Sequence, residues 1–235
     1  KRARKGEEDK HRTDPHIHKA NNDNKNNNNK SDNNNNNSPP DDSESQTNRL
    51  GDSLTVHRQG RIRSLDFSPD GQYLVVGGDD CACAIFRLVF ESAETDEDEL
   101  GSVSKLSSLA LCGQVQRVDR VYAVQFSPNG RYLAVGGFDG AVAIVVADKI
   151  PERNEQDVIA EISTDGLIFT LDWSPDGRYL ALGGSDKCCS IVNVEESWQV
   201  FQEIKRPSTV QAVKWHPNGG RYLAIGSGDV IIVDG

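Results

Sequence analysis

Few residues in this 235-residue chain have the types and spacings that chemistry needs. Cys81, Cys83, Cys112, Cys188 and Cys189 form no Cys-x-x-Cys pair and have no histidine at metal-ligand spacing beside them. They sit in apolar, strand-like runs and read as small core residues of a reducing compartment. Three of the five histidines, His11, His16 and His18, lie in a polar tail, where solvation accounts for them better than metal binding. Asp80, Asp139 and Asp186 recur at matched positions, as the ligands of a metal ring would. An Asx side chain capping its own turn explains the same recurrence without a ligand. There is no Gly-x-Ser-x-Gly elbow, no phosphate loop and no His-Glu-x-x-His pair. The sequence therefore predicts no catalytic residue, no metal site and no cofactor.

Charge narrows the partners. With 26 basic and 36 acidic side chains the net charge is −10, which disfavours general binding to nucleic acid, where local positive potential is required. The exception is Lys1-Arg2-Ala3-Arg4-Lys5, a basic cluster suited to nuclear import or a nucleic-acid contact. An acidic loop over 91–100, with Glu91, Glu94, Asp96, Glu97, Asp98 and Glu99, is either a solvated insertion or a dock for a basic segment. No apolar run is long enough for a membrane span or a secretory signal, so an intracellular chain, in cytoplasm or nucleus, is expected. The composition contains no methionine, even at position 1, and the chain is accordingly expected to be a piece of a longer protein.

The elements that position these residues divide the chain in two. Residues 1–50 are charged, then asparagine-rich, and have almost nothing apolar to bury, so a disordered tail is predicted. From 51 to 235, short apolar runs alternate with turn signals and repeat four times. The copies open at Ile62, Val121, Ile168 and Val210. Each has a first strand (Ile62, Leu65, Phe67 and their counterparts), then Ser-Pro-Asp-Gly, Ser-Pro-Asn-Gly or His-Pro-Asn-Gly. In these turns Pro69, Pro128, Pro175 and Pro217 preset φ, and the Asx-Gly pair supplies the positive-φ positions. A Tyr-Leu strand ends at paired glycines, which permit close backbone approach. The third strand alternates as a half-covered strand should, with Cys83, Val142, Cys189 and Ile85, Ile144, Ile191 buried. Weaker fourth strands are read at 53–57, 106–113, 157–162 and 198–204. In the fourth copy Asp229 stands closer to its strand, which implies a shortened turn.

The Ser-Pro-Asp-Gly-x-Tyr-Leu core with its downstream aspartate resembles the tryptophan-aspartate (WD) repeat family across roughly Ser53–Gly235. That resemblance implies an all-β chain, a β-propeller with four four-stranded antiparallel blades in an incomplete ring, the blades near 61–113, 120–162, 167–204 and 209–235. A four-bladed ring clasped by the strand at 53–57 is the alternative closure. No copy has the family's Gly-His pair, and the Trp-Asp end reads Phe86-Arg87, Val145-Val146, Val192-Asn193 and Val233-Asp234. The family's histidine–aspartate–tryptophan network should then be absent, leaving Asp80, Asp139 and Asp186 to brace the turn alone. A related non-WD propeller also stays open.

The resemblance further implies a protein-interaction scaffold rather than an enzyme, with contacts at strand entry and just before the turn aspartate. Carried over residue by residue, this selects Arg63, Asp79, Tyr122, Phe138, Phe169 and Ser185. Phe138 is the leading choice, because an apolar ring in that turn slot has no evident folding purpose. The other readings are a propeller domain of an enzyme or an enzyme-gating module, and a nucleic-acid-associated adaptor acting through Lys1–Lys5.

Overall fold

A computed structural model describes residues 17–20, 53–92, 104–147, 150 and 158–234. The chain separates into two units, Lys1–His57 and Arg58–Gly235. In the first, β1 (Ile17–Ala20) pairs antiparallel with β2 (Ser53–Val56). This corrects the sequence reading at two points. Ile17–Ala20 is a strand within the segment expected to have no structure, and the strand at 53–57 pairs with it rather than clasping the last repeat. The remainder of the predicted tail lies outside the described residues, as does the acidic loop beyond Ser92.

The second unit consists of four antiparallel sheets. The first contains β3 (Ile62–Phe67), β4 (Tyr73–Gly78), β5 (Ala82–Ser92) and β6 (Ser104–Gln116). The second contains β7 (Val121–Phe126), β8 (Tyr132–Gly137), β9 (Ala141–Val146) and β10 (Val158–Ser163). The third contains β11 (Ile168–Trp173), β12 (Tyr179–Gly184), β13 (Cys188–Asn193) and β14 (Gln199–Lys205). The fourth has three strands among the described residues, β15 (Ala212–Trp215), β16 (Tyr222–Gly226) and β17 (Val230–Asp234).

The hairpin joining the first two strands explains the Ser-Pro-Asp-Gly signal. Ser68 Oγ donates to Asp70 Oδ1 at 2.5 Å and accepts from the Tyr73 amide at 2.9 Å. Ser127 and Ser174 repeat the pattern with Asn129 and Asp176, and with the amides of Tyr132 and Tyr179. Glycine alone takes positive φ there, +69° at Gly71 and Gly130 and +73° at Gly177, so the Asx residue serves as a hydrogen-bonding brace and not as a second left-handed position.

Burial is organised between blades. One apolar cluster joins Val75, Cys83 and Ile85 of the first sheet to Val121, Val124 and Leu133 of the second. A second joins Val142 and Ile144 to Ile168, Leu171 and Trp173, and a third joins Cys189 and Ile191 to Val210, Val213 and Trp215. The second and third sheets are covered on both faces, and the third strand of the second is accordingly buried at successive positions, Ala141 to Val145. The predicted half-covered alternation is thereby corrected, since a sheet sandwiched between two others has no wet face over its middle.

Hydrogen bonds stitch the blades along their first strands. Asp66 Oδ2 accepts from the Phe126 amide at 2.8 Å, Gln125 Oε1 from Trp173 at 3.2 Å, and Asp172 Oδ2 from Trp215 at 2.6 Å. In each case the residue before the strand's aromatic reaches the aromatic amide of the next blade. Asp172 is buried, and burial pushes the Asp66 carboxyl above the usual carboxylate range, its bonds to Phe126 and Phe67 opposing that shift.

Paired glycines allow the turn after the second strand to close. A Cβ on Gly137 would lie 2.0 Å from Arg120 O, and on Gly184 1.8 Å from Leu167 O. The same carbonyls accept the amides of Phe138 and Ser185 at 2.9 and 3.0 Å. Replacing Gly137 by alanine is expected to lower stability by about 1–3 kcal/mol through backbone overpacking. Gly226→Ala, whose Cβ would meet nothing nearer than 3.5 Å, should cost clearly less. Chemical denaturation of both variants checks this, and equal losses would refute the close-approach account.

Candidate functional site

Five of the six residues carried over from the family resemblance, Arg63, Asp79, Tyr122, Phe138 and Phe169, are joined by direct contacts. Arg63, Tyr122 and Phe169 are each the second residue of a first strand, and each is a β-bulge. Ile62 pairs with Gly78 and Ser64 with Gly77, leaving Arg63 unpaired between them. Tyr122 and Phe169 are skipped in the same way. A bulge re-aims its side chain, and here it turns all three toward the loop end of the blade. In the fourth blade Ser227 replaces the second glycine, and the pairing begins at Ala212↔Gly226, the counterpart of Thr170↔Gly183, after the position where the other blades bulge.

The side chains form a layered contact. The Arg63 guanidinium lies 4.7 Å from the Tyr122 ring centre and donates to both carboxylate oxygens of Asp79, at 2.8 and 2.9 Å. That hydrogen bond holds the Asp79 carboxyl below its ordinary range. Tyr122 stacks on Phe138 at 4.2 Å with 15° between planes, and Phe169 tilts against both at 6.2 and 6.1 Å. Arg120 sits over Phe138 at 5.3 Å. Such stacking adds to area burial. Phe138 thus packs against Tyr122 and Phe169, with Arg120 over its ring. Ser185 accepts the Leu167 amide at 2.8 Å and borders the cluster without joining the ring stack.

The turn aspartates are not left alone, which corrects the sequence reading. An arginine four residues before Ile62, Val121 and Val210 meets the aspartate in three blades. Arg117 Nε bonds Asp139 Oδ2 at 2.7 Å, both side chains being nearly enclosed, and Arg117 also reaches Glu161 at 2.9 Å. Arg58 lies 2.8 Å from Asp80, and Arg206 bonds Asp229. The third blade has Thr164 instead, whose hydroxyl donates to Gly140 O and Gly166 O. Asp139 and Asp186 also cap their turns through the amides of Ala141 and Cys188. The arginines were readable as a recurrence at fixed distance from Val121 and its counterparts, but a search for histidine passed over them. In the fourth blade Gly226 pairs with Val230, where Gly77, Gly136 and Gly183 pair six residues on, so that turn is shorter, as expected.

On the opposite side, Asp66, Gln125, Asp172 and Lys214 line a hollow of about 330 Å³, rimmed by Pro69, Pro128, Pro175 and Pro217. Among the described residues no group of three or more His, Cys, Asp or Glu is placed to hold a metal ion. No helix among them is long and apolar enough to cross a membrane. Cys83 and Cys189 are buried, and burial pushes both thiols up to about 12, while Cys81, Cys112 and Cys188 are half-buried. The expectation of small core residues therefore fits two of the five.

Radially repeated antiparallel sheets joined face to face, with a loop-side contact cluster, define a β-propeller. The family model described as WD domain, G-beta repeat matches residues 48–87, 111–144 and 158–193, so the chain carries WD repeats at three positions. It is similar to Protein HIRA of Caenorhabditis elegans, 30% identical over 111 residues, which are 42% of this chain and 10% of that protein. It is also similar to Protein HIR1 of Yarrowia lipolytica, 32% identical over 117 residues, 46% of this chain and 11% of that protein. The matched region thus spans about a tenth of these relatives.

Removing Arg117 leaves Asp139 buried without its partner, so Arg117→Ala is expected to destabilise by about 3–5 kcal/mol. The exposed Arg178–Glu195 pair should matter little, and Arg178→Ala should cost under about 1 kcal/mol. Thermal unfolding of the two variants compares them, and similar losses would show that the Arg117–Asp139 pair has no special weight.

Proposed function

We propose that the chain is a protein-interaction scaffold, without chemistry of its own, whose binding face centres on Tyr122, Phe138 and Phe169 with Arg63. The observation that supports it is the convergence of three blades' bulged residues into one half-exposed aromatic and arginine cluster. Aromatic rings and arginine dominate binding hot spots because they offer large contact area at low entropic cost. Bulges that cost ladder pairing in three successive blades are a feature worth keeping when the side chains they aim are used. WD repeats support a scaffold rather than a catalyst, and an intracellular location agrees with five free cysteines. A nucleic-acid role would rest on Lys1–Lys5, which lie outside the described residues.

The test is quantitative binding to a protein partner captured on the full chain and then purified. Tyr122→Ala and Phe138→Ala should each weaken it by about 1–3 kcal/mol, roughly 5- to 150-fold, with little loss of thermal stability. Phe201→Ala, at an exposed ring on the outer strand β14, is the control expected to leave affinity unchanged. Unchanged affinity in both folded variants would move the interaction to another surface.

A further inference from the structure

Two asparagines in the sequence stand directly before glycine, Asn129 and Asn218, and both occupy the Asx slot of a hairpin turn. Such a pair can react with itself. The glycine has no side chain to obstruct its amide nitrogen, and its backbone freedom lets that nitrogen reach the asparagine side-chain carbon. The two turns differ in whether they permit this. Asn129 Oδ1 accepts from Ser127 Oγ at 2.7 Å and from the Arg131 amide at 3.0 Å, while the Gly130 amide donates to Ser127 O at 2.8 Å. Both the side chain and the attacking nitrogen are therefore held in place.

The fourth turn has none of these restraints. His216 replaces the serine, and Gly220 adds one residue between the Asn-Gly pair and the tyrosine strand. The His216 ring accepts the main-chain amide of Asn218 at 3.3 Å and leaves its side chain alone. Among the described residues, neither the Asn218 side chain nor the Gly219 amide makes a hydrogen bond. Asn218 is exposed, Gly219 has φ +80°, and a Cβ on Gly219 would meet nothing within 4 Å. Neighbouring repeats do not supply such bonds elsewhere. Asp70, Asn129 and Asp176 each have a blade after them, yet their side chains bond only within their own turns.

We propose that Asn218 is a site of spontaneous deamidation, by which the fourth turn acquires the carboxylate that Asp70 and Asp176 give the first and third. The Gly219 nitrogen gives its proton to solvent and bonds to Asn218 Cγ. The bond from Cγ to Nδ2 breaks, and Nδ2 leaves as ammonia, taking a proton from solvent. The cyclic imide that results takes up one water and opens to aspartate or, where water attacks the main-chain carbonyl, to isoaspartate, whose main chain runs through Cβ. Water is the sole co-reactant. Each event adds one negative charge next to Pro217, on the rim of the hollow that Lys214 lines.

Peptide mapping by mass spectrometry, after the folded chain is incubated at mildly alkaline pH, reads the outcome, because an acid in place of an amide raises the mass of the fragment that holds it. Asn218 is expected to convert at a rate close to that of the free peptide Lys214–Tyr222. It should also convert about tenfold or more faster than Asn129, whose hydrogen bonds must first be released. Ser127→Ala, checked for folding by circular dichroism, should raise the Asn129 rate and leave that of Asn218 unchanged. Three results would each overturn the proposal: Asn218 intact while the free peptide converts, Asn129 converting as fast as Asn218 in the folded parent, or an unaltered Asn129 rate in a folded Ser127→Ala chain. The first two comparisons need the parent chain alone and hold even where Ser127→Ala does not fold.

Discussion

A four-stranded sheet has two apolar faces and cannot bury either against itself. Every other feature of the second unit follows from that constraint. The face carrying Cys83 and Ile85 is dry because the next blade supplies Val121, Val124 and Leu133, and the arrangement repeats twice more. At about 25 cal/mol per Å² of apolar area removed from water, covering a face stabilises the blades on both sides of the junction at once. Stability is then shared between neighbours as in other repeat architectures, and the unit has three seams in place of one core. The polar stitch from Asp66 to Phe126 and its two counterparts fixes how the inner strands sit, since a buried carboxylate without its amide donor would be costly.

Face-to-face stacking leaves the strand ends as the surface where sequence can vary. The bulges at Arg63, Tyr122 and Phe169 turn that freedom into a shared surface. Beside each bulge sits the second glycine of a pair: only without a Cβ can the carbonyls of Arg120 and Leu167 reach the Phe138 and Ser185 amides. The fourth blade has Ser227 in the glycine's place and Gln211 at the position of Arg63, Tyr122 and Phe169.

Much of this was legible in the sequence because the relevant physics is local. Ser68, Asp70 and Gly71 build their turn within six residues, so the motif carries its own explanation. The slots of Val142 and Ile144 followed from strand period alone. Less local features were missed. Nothing in Val145 announces that its sheet will be covered on its second face as well, because that depends on Val75 and Cys83 of the preceding blade. The pairing of Ser53–Val56 with Ile17–Ala20 joins segments separated by more than thirty residues of polar sequence. The bulges were hidden for another reason. A bulged residue looks like any strand residue until its partner's register is known, and Phe138 looked idle until Tyr122 was found beneath it.

The arginines show how a network can be rebuilt when its family-typical member is missing. A neutral histidine donates to an aspartate through one ring nitrogen, whereas arginine brings a permanent charge and several donors in a rigid fork. Enclosing that charge is unfavourable unless each donor finds an acceptor. Arg117 meets the requirement by spanning Asp139 and Glu161, a residue of the strand that closes the same blade. Arg58 meets it only in part: it ion-pairs with Asp80 and donates Nη2 to Ala82 O at 3.2 Å, while its buried Nε makes no hydrogen bond among the described residues. The pair thus ties the entry of the first strand to the turn after the second, and in the second blade to the outer strand as well. Thr164, which has no charge to satisfy, binds only carbonyls, and its blade leaves Asp186 to cap the turn through the Cys188 amide. The same turn is therefore held by charge pairing in the first, second and fourth blades and by hydrogen bonds of Thr164 and Asp186 in the third. Loss of the Trp-Asp signature consequently removes the motif without removing the fold.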